Sequence, residues 1–182
     1  MRLFIALNIP DDLREAIYTA TAPLRAIAPG ARWTGAEKLH LTMKFLGERP
    51  QELVDALVPA LDALGARHRA IDLRIEGLGA FPNARRPRIV WAGIVETPAL
   101  SALQGDVDDA CARLGIERED RPFHPHVTLA RIGPRVPHRD AQALLRERDP
   151  LGLRGAAVVR TVDLMQSVGG RYVPLHRATL AA

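Results

Sequence analysis

The sequence predicts a mixed α/β fold of the α+β kind. We expect two similar lobes related by a pseudo-twofold axis, each a largely antiparallel sheet with helices on its outer face, and a central cleft between them. Three observations carry that expectation. HLTMKFLG at His40–Gly47 recurs as HVTLARIG at His126–Gly133, 86 residues later. In the same frame RLFIAL at Arg2–Leu7 falls on RIVWAG at Arg88–Gly93. IDLRIEGL at Ile71–Leu78 likewise falls on AVVRTVDL at Ala157–Leu164. The order strand, helix, motif strand, helix, strand persists through roughly 85 residues without a gap, which reads as an internal duplication. The chain is thus expected to be one domain over 1–182, with repeats at roughly 1–86 and 87–172 and strands exchanged between the lobes.

The elements follow in order. The six runs just named have strand character. Between the first two strands of the first repeat, Asp11–Ile27 reads as a helix: Pro10-Asp11-Asp12 offers a cap oxygen and acidic first-turn residues ahead of Leu13, Ile17 and Leu24. Its counterpart starts at Thr97-Pro98, carries Leu100, Leu103 and Val107, and stops at Gly115. A second helix is expected over Gln51–Arg67, ending near Gly65, with Pro59 kinking or splitting it. Its counterpart is His138–Arg148. GAFPNARRPR and EREDRPFHP read as loops rich in proline and charge, too short for interdomain linkers. Two β-α-β-α-β halves without a linker would pack face to face, their histidine strands lining one cleft.

Composition narrows the function. The 182 residues are 47% hydrophobic and contain no apolar run near the ~20 residues of a membrane span. The start, MRLFIALNIPDD, has one basic residue and a short apolar run ending at Pro10 and two aspartates, unlike a secretory signal, so a cytoplasmic protein is expected. Cys111 is the only cysteine, which excludes an intramolecular disulfide or a thiolate cluster within one chain; VDDACARLG places it in a buried helix. Lys38 and Lys44 are the only lysines among 25 basic residues, against 21 acidic ones. Arginine forks match phosphate oxygens, although a general composition bias accounts for much of the arginine. With no evident exposed apolar helix, a monomer is expected, with no membrane partner.

The repeated His-x-Thr carries the chemistry. Histidine and threonine two residues apart on a strand share a face. Hydrolysis that displaces an alcohol needs one group to take a proton from water and another to give one to the leaving oxygen, and histidine does either near neutral pH. His40 and His126 across a twofold axis suit in-line attack at a phosphodiester, with Thr42 and Thr128 donating to the non-bridging oxygens. Taken singly, each His-x-Thr reads as a hydrogen-bonded structural histidine. A metal held by His124 and His126 would lack a nearby third ligand. Ser101 and Ser167 lie outside any glycine-flanked nucleophile turn. His68, His138 and His176 fall outside the repeat and read as surface residues. Lys44 shares the parity of His40 and Thr42, so it should reach phosphate or sit at a solvated strand end. Strict alternation points Phe45 and Arg131, five residues after each histidine, away from the cleft, unless the strand ends or bulges there. Three arginines in NARRPR, Asn83–Arg88, either follow a phosphate backbone or form a solvated loop.

These motifs, in the order MRLFIAL, HLTMKFLG, GLGAFPN, PRIVWAGI and FHPHVTLARIG, resemble the RNA 2',3'-cyclic phosphodiesterases, also called 2'-5' RNA ligases, of the two-histidine phosphoesterases. The resemblance covers essentially the whole chain. It implies a bilobal α/β fold and metal-independent opening of an RNA-terminal 2',3'-cyclic phosphate to a 2'-phosphate, without a cofactor. It also implies a weak reverse joining of RNA ends through a 2'-5' linkage. By the same resemblance His40 is the proton donor to the leaving 3'-oxygen and His126 the proton acceptor that activates water. Phe45 would be a base-stacking ring and Arg131 a substrate-facing guanidinium, while the repeat by itself leaves the two histidine roles equivalent. Partners would be RNA with cyclic phosphate ends, tRNA fragments among them, or nucleotides. Two alternatives stay open: a small-molecule cyclic phosphodiesterase acting on ADP-ribose 1'',2''-cyclic phosphate or cyclic mononucleotides, and a binding protein for nucleotides or RNA ends.

Overall fold

A computed structural model describes residues 1–146 and 152–182. In chain order the elements are β1 (Arg2–Asn8), α1 (Asp11–Ala20), α2 (Ala22–Ile27), β2 (Arg32–Trp33), a 3-10 turn (Ala36–Lys38), β3 (His40–Glu48), α3 (Gln51–Gly65), β4 (Ile71–Phe81), β5 (Ile89–Ile94), α4 (Pro98–Arg113), β6 (His126–Arg131), α5 (His138–Arg146), β7 (Arg154–Val159), β8 (Thr161–Val168) and β9 (Arg171–Thr179). The strands form one antiparallel sheet in the order β7-β4-β5-β6-β3-β1-β8-β9, with β2 beside β6. The expected mixed α/β class with an antiparallel-rich sheet is present. The joining differs from a face-to-face packing: the halves meet edge to edge, where β3 pairs with β6 at Leu41 and Val127. Edge pairing satisfies backbone groups that two stacked lobes would leave open at their inner strands.

Alternation assigns the two faces. Leu3, Ile5 and Leu7 of β1, Leu41 of β3 and Val127 of β6 point into one core with Leu57 and Leu61 of α3, Leu103 and Val107 of α4, and Leu144 of α5. Phe4, Ala6 and Met165 form a small separate cluster on the opposite face. That opposite face is where the histidines lie.

Several expected elements take another form. The helix expected over 11–27 breaks at Thr21, whose hydroxyl donates back to the Ile17 carbonyl at 2.8 Å; α2 then starts at Ala22, with Pro23, lacking an N–H, in its first turn. No side-chain oxygen caps α1, and Asp11 pairs with Arg14 instead. α3 runs unbroken through Pro59, held on both sides by Leu57, Leu61 and Leu64 in the core. Thr97 caps α4 as expected, accepting from the Leu100 N–H at 3.2 Å. AVVRTVDL divides at Arg160 into β7 and β8, and β2 and β9 are additional. The last two residues expected in the fourth helix, 147 and 148, lie outside the described residues.

Candidate active site

β3 and β6 share one bridging pair and then diverge, β2 taking the place beside Ala130 and Arg131. Both strands carry a bulge two residues past that pair. In β3, Ala6 faces Thr42 and Ile5 faces Lys44, which leaves Met43 as the extra residue. In β6, Trp91 faces Thr128 and Val90 faces Ala130, which leaves Leu129 extra. A bulge bends its strand and re-aims every side chain beyond it. Met43 and Lys44 therefore both face inward, and Phe45 emerges 68% exposed on the histidine face, its ring 6.4 Å from that of Phe4. Leu129 and Ala130 are likewise buried while Arg131 is exposed. Strict alternation fails in both repeats for the same reason.

Around the Leu41–Val127 pair, His40 stands across from Thr128 and Thr42 across from His126, as an antiparallel ladder requires. The two histidines are diagonal neighbours, whose Cα atoms stand roughly 7–8 Å apart in a regular ladder. Each is held by its Nδ1: to the Lys38 carbonyl at 2.7 Å for His40 and to the His124 carbonyl at 2.6 Å for His126. A carbonyl only accepts, so Nδ1 carries the hydrogen and Nε2 is the nitrogen left to titrate. The Thr42 hydroxyl lies 3.1 Å from His40 Nε2 and donates to it when the ring is neutral. Both pKa values lie below the ordinary histidine value. For His40 burial is the main cause, opposed by the Lys38 carbonyl and assisted by the charges of His126 and Arg131. For His126 burial again leads, opposed by the His124 carbonyl and assisted by His124 and Arg131. The arrangement keeps two neutral imidazoles beside a guanidinium, ready to gain a proton when an anion enters.

Comparison with known proteins adds a family to this geometry. The family model of the 2'-5' RNA ligase superfamily matches residues 9–171. The chain belongs to this superfamily. It is 33% identical to an RNA 2',3'-cyclic phosphodiesterase of Archaeoglobus fulgidus over 97% of both chains. With one of Geobacillus stearothermophilus it shares 36% identity over 70% of its own length, spanning 41% of that relative. The crystal structure of Escherichia coli LigT complexed with 3'-AMP matches with a TM-score of 0.72 at 29% identity, covering all of this chain and 98% of that one.

In this member of the 2'-5' RNA ligase superfamily the structure adds residues that the repeat did not single out. His40 is walled by Phe4 at 5.1 Å and by Tyr172 of β9, edge-on at 5.2 Å. His126 is walled by Phe81, edge-on at 4.9 Å, and by Trp91 at 6.0 Å. Trp91 lies flat over Gly79, where a Cβ would fall 2.1 Å from its ring. The His124 ring packs against Trp91 at 4.9 Å, and among the described residues no three His, Cys, Asp or Glu side chains gather as a metal site. Asn8, opposite His40, donates to the buried Asp163 at 2.6 Å. For Phe4 and Trp91 the only early signal was aromatic character on expected strands, which core packing explains equally well; Phe81 fell in a stretch read as a loop and Tyr172 outside every expected element.

Lys44 reaches neither phosphate nor solvent: the bulge turns it into the core, where Nζ donates to Asp108 at 2.5 Å and to the Glu117 carbonyl at 2.6 Å. His68 and His176 are not free surface residues, since their Nε2 atoms bond Asp106 at 2.7 Å and Asp62 at 2.6 Å. His138 is exposed at the start of α5, as expected. Cys111 is fully buried in α4, and burial pushes its thiol up to about 11.

Proposed function

We propose that this protein opens RNA-terminal 2',3'-cyclic phosphates to 2'-phosphates by paired histidine catalysis. The observation that carries the reading is the pair of Nε2 atoms, one per repeat, presented to one face with both Nδ1 atoms tied to backbone carbonyls. The cyclic phosphate sits between the rings, its charge favouring the imidazolium that burial disfavours. His126 Nε2 takes a proton as the water oxygen bonds to phosphorus. The bond from phosphorus to O3' breaks, and O3' takes the proton held on His40 Nε2. The 2'-phosphate ester remains, and proton exchange with solvent restores both rings. Thr42 and Thr128 donate to the non-bridging oxygens, where charge grows. Exposed Phe45 stacks on the terminal base, and Arg131 neutralises the phosphate.

The sheet order supports one domain of two repeats, 1–86 and 87–172, with exchanged strands. Under the 86-residue shift β4 corresponds to β8 and β3 to β6, yet β4 lies beside β5 and β8 beside β1. Both histidines come from one chain, so a monomer in the cytoplasm suffices for a whole site. The test is incubation with an RNA ending in 2',3'-cyclic phosphate in the presence of EDTA, with the end groups resolved. A 2'-phosphate product supports the reading; a 3'-phosphate product or an unopened ring overturns it.

A further inference from the structure

Past Arg131 the sheet ends at a pocket of about 370 Å³ between the Asn83–Arg88 loop and the start of α5. Pro87, Val136 and Ala141 line it as buried apolar residues beside half-buried Ile132, while Arg86, Arg88 and His138 are exposed at its edge. The two segments that form it, 83–92 and 131–146, carry seven arginines and one acidic residue, Asp140, which lies beside Arg139. The loop is preformed. Asn83 Oδ1 accepts from the Arg85 and Arg86 N–H groups at 3.0 and 3.1 Å, and Gln142 Nε2 donates to the Arg85 carbonyl at 3.2 Å. The Ile132 N–H donates to the Arg88 carbonyl at 2.8 Å.

The pocket begins where the histidine-bearing strand β6 ends. Arg131, whose charge is felt at both histidines, immediately precedes Ile132, and its backbone partner Ile89 immediately follows Arg88. Five residues of strand separate His126 from Arg131, roughly 15 Å with the bulge. The Arg131 charge still acts on both histidines, but a nucleotide whose own phosphate lies between them does not reach the pocket past Ile132, whereas the strand it terminates does. Apolar walls beside guanidinium groups suit a base and a phosphate together.

We infer that this pocket binds an internal nucleotide of the RNA whose 3' end lies in the cleft, its base on Pro87 and Ile132 and its phosphate on Arg86 and Arg88. The inference rests on the proposed reading of the cleft as an RNA-end site, and it makes the preferred substrate an oligonucleotide. The experiment compares kcat/KM for a cyclic mononucleotide and for a six-nucleotide RNA with a cyclic end, using wild type, Arg86→Ala/Arg88→Ala and Arg86→Glu/Arg88→Glu. Fluorescence anisotropy of the same RNA bearing a 2'-phosphate gives binding without turnover. The alanine pair should weaken the oligonucleotide about ten-fold in both readouts and flatten its salt dependence by about 1.4 in log–log slope, two single-strand contacts' worth. The glutamate pair should weaken it further, and mononucleotide turnover should stay at the wild-type value. Equal losses on both substrates, or unchanged oligonucleotide binding in both variants, would overturn the pocket assignment. Wild type that binds the RNA but opens neither substrate would overturn the catalytic reading, while the anisotropy comparison still decides the pocket.

Discussion

Each cleft histidine gives up one ring nitrogen to a carbonyl two residues upstream, which fixes the tautomer and leaves Nε2 facing the cleft. Because both pKa values lie below the unfolded value of about 6.5, the unfolded chain binds more protons than the folded one as pH falls below that value. Their contribution to stability is therefore complete above about pH 6.5 and declines as pH drops towards the folded pKa values. Thermal melts at pH 7.5 and 5.5 should show a fall in Tm that His40→Asn/His126→Asn reduces and inorganic phosphate offsets; an unchanged fall in the double variant would contradict the assignment. Lys44 makes a separate case. Breaking its buried pair with Asp108 should cost about 3 kcal/mol in urea unfolding of Lys44→Met, with activity per folded molecule retained. A loss of activity without loss of stability would return Lys44 to the cleft. His40, His126, Thr42 and Thr128 were legible because one frame repeats them. Lys44 was misread because its parity was counted through a bulge that no residue type announces.

At the scale of elements, the paired bulges at Met43 and Leu129 matter most. They bend β3 and β6 apart just past their shared pair and bring Phe45 and Arg131 back to the histidine face. The register difference is visible only once β1 and β5 are laid alongside, so the sequence could pose the choice between a bulge and core packing without deciding it. Helix positions were legible from apolar spacing, and Thr97 from its cap chemistry. The break at Thr21 was not, because Leu13, Ile17 and Leu24 keep one apolar stripe across it. The Trp91 wall depends on a glycine in the neighbouring strand. Gly79→Ala puts a methyl into the indole, so it should destabilise the protein by about 1–3 kcal/mol, shift tryptophan emission and lower turnover. Unchanged emission and stability would mean that the ring has room to move without consequence.

In the whole molecule, a duplicated half-site becomes one site because the two halves of the sheet, β7-β4-β5-β6 and β3-β1-β8-β9, each built from strands of both repeats, join edge to edge at the one β3–β6 pair. The repeat in the sequence implied two equivalent halves and a shared cleft. It did not specify the edge-to-edge joining, since β2 and β9 and the one-pair contact depend on backbone pairing rather than on side-chain pattern. The central claim is that one histidine gives a proton while the other takes one. The most direct measurement is the single-turnover rate on cyclic-ended RNA, with EDTA present, for wild type, His40→Ala and His126→Ala, using substrates with oxygen or sulfur at the bridging 3' position. On the oxygen substrate each variant should lose about 10²–10⁴-fold. Sulfur leaves without a proton donor, so it should restore His40→Ala and leave His126→Ala slow. A wild-type rate in either variant on the oxygen substrate would contradict the account.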